Sequence, residues 1–162
     1  MNIKYIRKLG KGICSEVWLT VHNKNIYATK IFDSCDGDMV PLYNEIRCQR
    51  LAASHGLAPK IHFVNTLHLI GFEKCYMFMD PLLSPFKTDY QLLYDLENRD
   101  KKFSYEYNNI IQYKQTLQTE IETLGIRIPD LQTMLHVEDG EVKKGYVIDF
   151  GNAEILLHTP PN

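Results

Sequence analysis

The sequence contains no apolar run long enough to cross a bilayer, and Met1-Asn2-Ile3-Lys4 leads straight into patterned sequence with no apolar signal core behind it. The expected location is therefore the cytoplasm. Nor is there an excess of charge of one sign. With 18 Lys+Arg against 20 Asp+Glu, no overall field points to nucleic acid or to an anionic membrane. The four cysteines, Cys14, Cys35, Cys48 and Cys75, form no C-x-x-C pair, and the six histidines have no metal-ligand spacing. That argues against structural zinc and for free thiols in a reducing compartment. Internal repeats, low-complexity tracts and a Gly- or Pro-rich linker are missing too, so the 162 residues are expected to make one domain, or two small lobes sharing a cleft.

What is present is a run of strands followed by a run of helices. Residues 3–9, 16–21 and 26–32 are rich in β-branched and aromatic residues, separated by Gly10-Lys11-Gly12 and by His22-Asn23-Lys24-Asn25. This reads as a three-stranded antiparallel meander. A polar loop at 33–38 leads to a helix over 41–54 that Gly56 closes. Strands at 60–64 and 75–79 follow, joined by a longer connection around 68–74, which completes a five-stranded sheet with one helix. Pro81 and Pro85 then break the pattern. Beyond them residues 89–98 and 104–124 read as helices, the second with Tyr107, Ile110, Ile111, Leu117, Ile121 and Leu124 near a period of roughly 3.6. A hairpin of 133–137 and 141–148 turns at Glu138-Asp139-Gly140, and its second strand runs into Asp149-Phe150-Gly151.

Three stretches carry chemistry. In Leu9-Gly10-Lys11-Gly12-Ile13-Cys14-Ser15-Glu16-Val17, glycines at a hairpin turn let backbone N–H groups approach a polyphosphate. Tyr27-Ala28-Thr29-Lys30-Ile31 sets a lysine inside a mostly apolar strand, where it needs an opposite charge, and Glu45 on the next helix offers one. Gly145-Tyr146-Val147-Ile148 delivers the carboxylate of Asp149 to its own tip, a common way of setting a metal ligand at a cleft.

In their order along the chain these motifs resemble the eukaryotic-type protein kinase family, which uses a Gly-rich loop, a third-strand lysine paired to a helix glutamate, a catalytic-loop aspartate and a metal-binding aspartate in Asp-Phe-Gly. By that resemblance Gly10 and Gly12 line the phosphates, Lys30 holds them and is itself held by Glu45, Asp130 is the catalytic aspartate, and Asp149 binds Mg2+. Tyr76-Met77-Phe78-Met79-Asp80-Pro81-Leu82 looks like the family's fifth strand and hinge. Met79 would then be the gatekeeper, the backbones of Asp80 and Leu82 would meet the adenine edge, and Val17 and Ala28 would pack on the ring. Leu124-Gly125-Ile126-Arg127-Ile128-Pro129-Asp130-Leu131 is similar to the run into the catalytic loop, with Ile128-Pro129-Asp130 where His-Arg-Asp is usual. The implied fold is α+β and bilobal: one kinase-like domain over 1–162, with an N-lobe over 1–80, a hinge over 80–85 and a truncated helical C-lobe over 86–162. The implied activity is transfer of the γ-phosphoryl of ATP to a protein Ser or Thr hydroxyl.

The chain departs from the family in two places. Position 135 is Leu where the family's second metal-binding residue, an Asn, is expected, and a short deletion brings Met134 or Thr133 there instead; Gln132 replaces the usual Lys. Asp149 would then hold magnesium together with phosphate oxygens and water. Eleven residues follow Gly151, too few for the late helices that hold protein substrates in the family. The expectation is a minimal kinase of the kind seen in some viruses and bacterial effectors, which would place it in a host cytoplasm. A protein substrate or regulator would dock on an unusual face, and self-association would cover an exposed stripe on the 104–124 helix. The alternatives are a pseudokinase that acts by binding, favoured by the missing Asn and His-Arg context, and a small-molecule kinase on a related fold.

Overall fold

The structure is a computed structural model that describes residues 2–12, 15–34, 40–69 and 72–156. Cys14 of the glycine turn, Cys35 with most of the loop after residue 33, and the last six residues of the tail lie outside the described residues. The chain divides into two compact units, Met1–Pro41 with Pro59–Leu82, and Leu42–Ala58 with Leu83–Asn162.

In the first unit β1 (Lys4–Lys11), β2 (Ser15–His22) and β3 (Asn25–Ser34) form the meander, and β4 (Ile61–Leu69) and β5 (Phe72–Met79) complete an antiparallel sheet of order β1-β2-β3-β5-β4. The β2–β3 turn has Asn23 and Lys24 at φ 49° and 66°, the primed geometry whose twist matches that of the flanking strands. One face of the sheet is aromatic. Ile31, Tyr76 and Phe78 are buried there with Trp18, Tyr27 and Phe63 against them, and the rings of Phe63 and Phe78 stack at 4.2 Å. Most of the connection expected around 68–74 is ladder, since β4 and β5 stay in register as far as Leu69 and Phe72. Asn65-Thr66-Leu67-His68-Leu69 lacks the continuous apolar character of a central strand, yet one of its ladder partners is enough to carry it at the sheet's edge.

In the second unit α1 (Val40–Ser54) carries Cys48 and Ala52 into a core with Leu96 of α2 (Asp89–Glu97) and Ile110, Leu117 and Ile121 of α3 (Tyr105–Thr123). Chain order groups this helix with the strands, but its buried Cys48 and Ala52 belong to the second core. There Asn44 Nδ2 also donates to the Ala153 carbonyl. The helix ends where Gly56, at φ 76°, lets Gly56 N donate to Ala53 O and Leu57 N to Ala52 O. Thr88 and Ser104 cap α2 and α3, each accepting from an N–H three residues on.

Short strands β6 (Lys87–Thr88), β7 (Ile126–Arg127) and β10 (Glu154–Ile155) frame the hairpin of β8 (Gln132–Glu138) and β9 (Glu141–Ile148), giving a three-stranded sheet β6-β8-β9 and a separate β7·β10 pair. Asp139 and Gly140 make the hairpin turn at φ 54° and 77°. Helix α3 lies so close to β9 that a Cβ on Gly145 would sit 2.6 Å from Leu135 Cδ2 and from Tyr113 Cε1. The apolar stripe expected to be exposed on this helix is therefore covered, with Ile110 and Ile121 fully buried. Large exposed aromatics lie elsewhere in the unit, at Tyr90, Tyr94, Phe103 and Tyr105. Among the described residues no helix is long and apolar enough to cross a membrane.

Candidate functional site

Antiparallel ladder partners point to the same side of a sheet, as do alternate residues along a strand. Gly10 pairs with Val17, Val17 with Lys30, and Ala28 with Met79. Five of the sequence-derived residues, Gly10, Val17, Ala28, Lys30 and Met79, thus share the face opposite the aromatic one. Ala28, Lys30 and Met79 are all buried, Lys30 at 7% exposure, and its Nζ lies 5.1 Å from the centroid of the Phe32 ring two residues along. Among the described residues Gly10 has no heavy atom within 4 Å of where a Cβ would stand, which leaves space beside its backbone. The Gly12 N–H is used inside the turn, donating to Ser15 O at 2.8 Å. On the opposite, aromatic side Lys8 Nζ donates to Glu16 Oε1 at 2.5 Å, and that bond, with a second from Trp18, holds the Glu16 carboxyl below its usual range.

At the end of β5 the main chain of Asp80 is partly committed, its N–H donating to Lys60 O at 3.0 Å. What Asp80 can offer a ligand from its backbone is its carbonyl. Its side chain faces the same neighbours: His62 Nε2 lies 2.6 Å from Oδ1 and Lys60 N–H donates to Oδ2. Leu82, next on the chain, is half-buried.

In the second unit the ladder of the β8–β9 hairpin pairs Gln132 with Ile148, which brings the Asp130 loop and Asp149 to the same end of one sheet. The β7·β10 pairing ties the chain on either side of them together again, Ile126 opposite Ile155 and Arg127 opposite Glu154. Asp149 is exposed and held at φ 60°, a left-handed conformation that Asp tolerates better than most residues. Phe150 is fully buried behind it and accepts from Ala153 N at 3.0 Å. A buried anchor next to a left-handed carboxylate fixes where that carboxylate points. A Cβ on Gly151 would lie 3.3 Å from Asp149 Oδ1 and 3.7 Å from Glu45 Oε2, so both carboxylates flank this glycine. Glu45 itself is buried, at 3% exposure.

Asp130 is exposed on a bend whose neighbours Ile128 and Leu131 are buried, apolar anchors that leave the carboxylate facing outward. It lies on a pocket of about 510 Å³ with Thr88, Asp89, Lys114, Gln132 and Thr133 among its lining residues. Asp89 is buried, takes a 2.6 Å bond from Lys114 Nζ on Oδ2 and accepts from Thr133 N on Oδ1 at 3.3 Å. Sequence reasoning missed Asp89 and Lys114. Both stand on amphipathic helices where an acid in a first turn and a lysine further along read as solvent-facing.

Comparison with known proteins finds no protein-family model and no curated protein that matches the chain. Magnesium takes hard oxygen ligands and keeps water and substrate phosphates around one or two carboxylates, and the carboxylates beside Gly151 are a donor set of that kind. Among the described residues no group of three or more His, Cys, Asp or Glu is arranged to hold a metal ion.

Proposed function

We propose that the chain is an ATP-dependent phosphotransferase resembling a minimal protein Ser/Thr kinase. The observation that carries this reading is the single sheet face holding Gly10, Val17, Ala28, Lys30 and Met79, with a lysine buried among apolar residues. The ammonium of Lys30 lies on the same side of the sheet as the glycine turn, where a polyphosphate would meet a fixed positive charge. Val17, Ala28 and Met79 offer apolar contact for a base, while the Asp80 carbonyl and the Leu82 backbone meet its edge. Lys30 and Glu45 keep the roles the resemblance gives them. Magnesium, when bound, neutralises charge on the transferring phosphoryl group. Asp149 is the residue that would hold it, and Asp130 orients the acceptor hydroxyl and takes its proton. A protein is the substrate this reading implies.

ATP binding with and without magnesium, followed by radiolabelled phosphate transfer, tests the proposal on wild type, Lys30→Ala and Asp149→Ala. Wild type binds and transfers, Lys30→Ala loses affinity, and Asp149→Ala loses transfer and the magnesium dependence of binding. Binding without transfer in wild type would make the chain a pseudokinase. No ATP binding in wild type would overturn both readings.

A further inference from the structure

We infer that the pocket beside Asp130 binds a basic side chain of a polypeptide, an arginine guanidinium or a lysine ammonium. Three observations lead there. The first is charge. Asp89 and Asp130 bring two carboxylates against one ammonium, Lys114, and that ammonium is taken up by Asp89 at 2.6 Å. Among the described residues no ion pair involves Asp130, so its charge is the one left uncompensated on the pocket.

The second is a polar atom without a partner. Thr133 is fully buried, and its Oγ1 has no hydrogen bond among the described residues, although the residue belongs to the pocket's lining. Its backbone N–H is already given to Asp89, so the strand holds the hydroxyl where it stands. A buried polar atom left unpaired costs about 1–3 kcal/mol, and a ligand that donates to it removes that cost. The lining also carries the Gln132 amide oxygen, and the two acceptors that matter most are the charged Asp130 carboxylate and the Thr133 hydroxyl. A multivalent cationic donor satisfies both, whereas an anion would meet the uncompensated carboxylate.

The third is shape. Tyr90, 74% exposed, and the half-buried Leu93 line the same pocket, giving a cation an aromatic face and its methylene stem an apolar wall. Asp130, Gln132 and Tyr90 are all exposed, so the mouth is open. The pocket therefore takes the tip of a side chain whose main chain stays outside, and it does so without nucleotide. The inference does not depend on phosphoryl transfer.

The test is an NMR titration of the full chain, without ATP, with a short peptide carrying one arginine and with the same peptide carrying citrulline, which keeps the shape and removes the charge. Free Nα-acetyl-arginine amide separates the side chain's contribution from that of the peptide. The arginine peptide is expected to shift amides in 88–93 and 130–133, to lose affinity as salt is raised, and to bind at least about 5-fold more weakly to Asp130→Asn, whose exposed position leaves the fold intact. Thr133→Val is expected to melt higher than wild type and to bind more weakly; a purely structural threonine would give the first change without the second. Equal binding of the citrulline peptide, shifts outside these segments, or unchanged affinity in both variants would overturn the inference, and none of these results bears on ATP binding.

Discussion

The two units carry their candidate functional residues in different ways. In the first they alternate with structural residues along the same strands: Trp18, Tyr27, Ile31 and Phe78 fill the aromatic face while Val17, Ala28, Lys30 and Met79 take the other. In the second the core is largely aliphatic, with Ile110, Ile121, Ile126, Leu135 and Val147 fully buried around Phe150, and Asp130 and Asp149 sit where elements end while Glu45 is buried within α1. A strand can divide packing and chemistry between its faces because its period is two. A helix offers one buried stripe, so apart from Glu45 the second unit carries its candidate residues at strand ends and bends.

That contrast makes Phe150 the sharpest place to strike. It is the fully buried aromatic of its core and the neighbour of Asp149. Phe150→Ala is expected to cost about 3–5 kcal/mol in urea unfolding and to abolish phosphate transfer with it. Phe78→Ala, fully buried in the first unit, is expected to cost about as much. A loss under about 1 kcal/mol for either would mean that its core is not packed as described.

The glycines sharpen the comparison at lower cost. Gly145→Ala forces a Cβ to within 2.6 Å of Leu135 and Tyr113 and is expected to lose about 1–3 kcal/mol through overpacking between α3 and β9. Gly10→Ala meets nothing within 4 Å among the described residues, so its effect on stability should stay within about 0.5 kcal/mol while ATP affinity falls, if the open space there is used by phosphate. Equal thermal shifts for both would erase the distinction.

At Asp149 backbone and chemistry can be separated. Asp149→Asn keeps a residue that tolerates φ 60° and should change stability by less than about 0.5 kcal/mol while ending transfer. Asp149→Val puts a β-branched residue there and is expected to cost about 1–2 kcal/mol. If Asn and Val destabilise alike, the left-handed conformation is not what that position demands.

How much of this was legible in the sequence follows the same division. Strand alternation and the turns at Asn23-Lys24 and Asp139-Gly140 announced the meander and the hairpin, because turn chemistry and period are local. The helix over 105–123 was legible from its stripe and from Ser104 and Gly125 at its ends. What stayed hidden depends on contacts between distant residues. The placement of α1 in the second core rests on Cys48 and Ala52 meeting residues about 50 to 100 positions later. The burial of Asp89 rests on Lys114 and Thr133, and nothing near residue 89 signals it. The two-residue strands β6, β7 and β10 are too short to leave a periodic pattern. The candidate residues Gly10, Lys30 and Asp149 were found by their motifs, whereas the pocket beside Asp130 has no motif and required coordinates.

The last expected effect depends on pH and concerns Cys48, fully buried in the second core, where burial pushes its thiol pKa up and the neighbouring Arg47 offsets that only in part. In the folded protein the neutral thiol is favoured; in the unfolded chain the thiol ionises at its ordinary value. The contribution is therefore fully present below the unfolded thiol pKa of about 8.5 and is lost as pH rises from there toward the raised folded value. Between these two pH values the unfolded state binds fewer protons, so stability falls with pH by at most about 1.4 kcal/mol per pH unit for this one group. Urea unfolding of wild type and Cys48→Ala at pH 7 and at pH 9.5 isolates it. The alanine variant should be less stable at pH 7, because it leaves a small void between α1 and its neighbours, and the gap between the two proteins should narrow at pH 9.5. A gap that stays constant would mean that Cys48 ionises as readily in the folded core as in the unfolded chain, and the close packing of α1 into the second unit would lose that support.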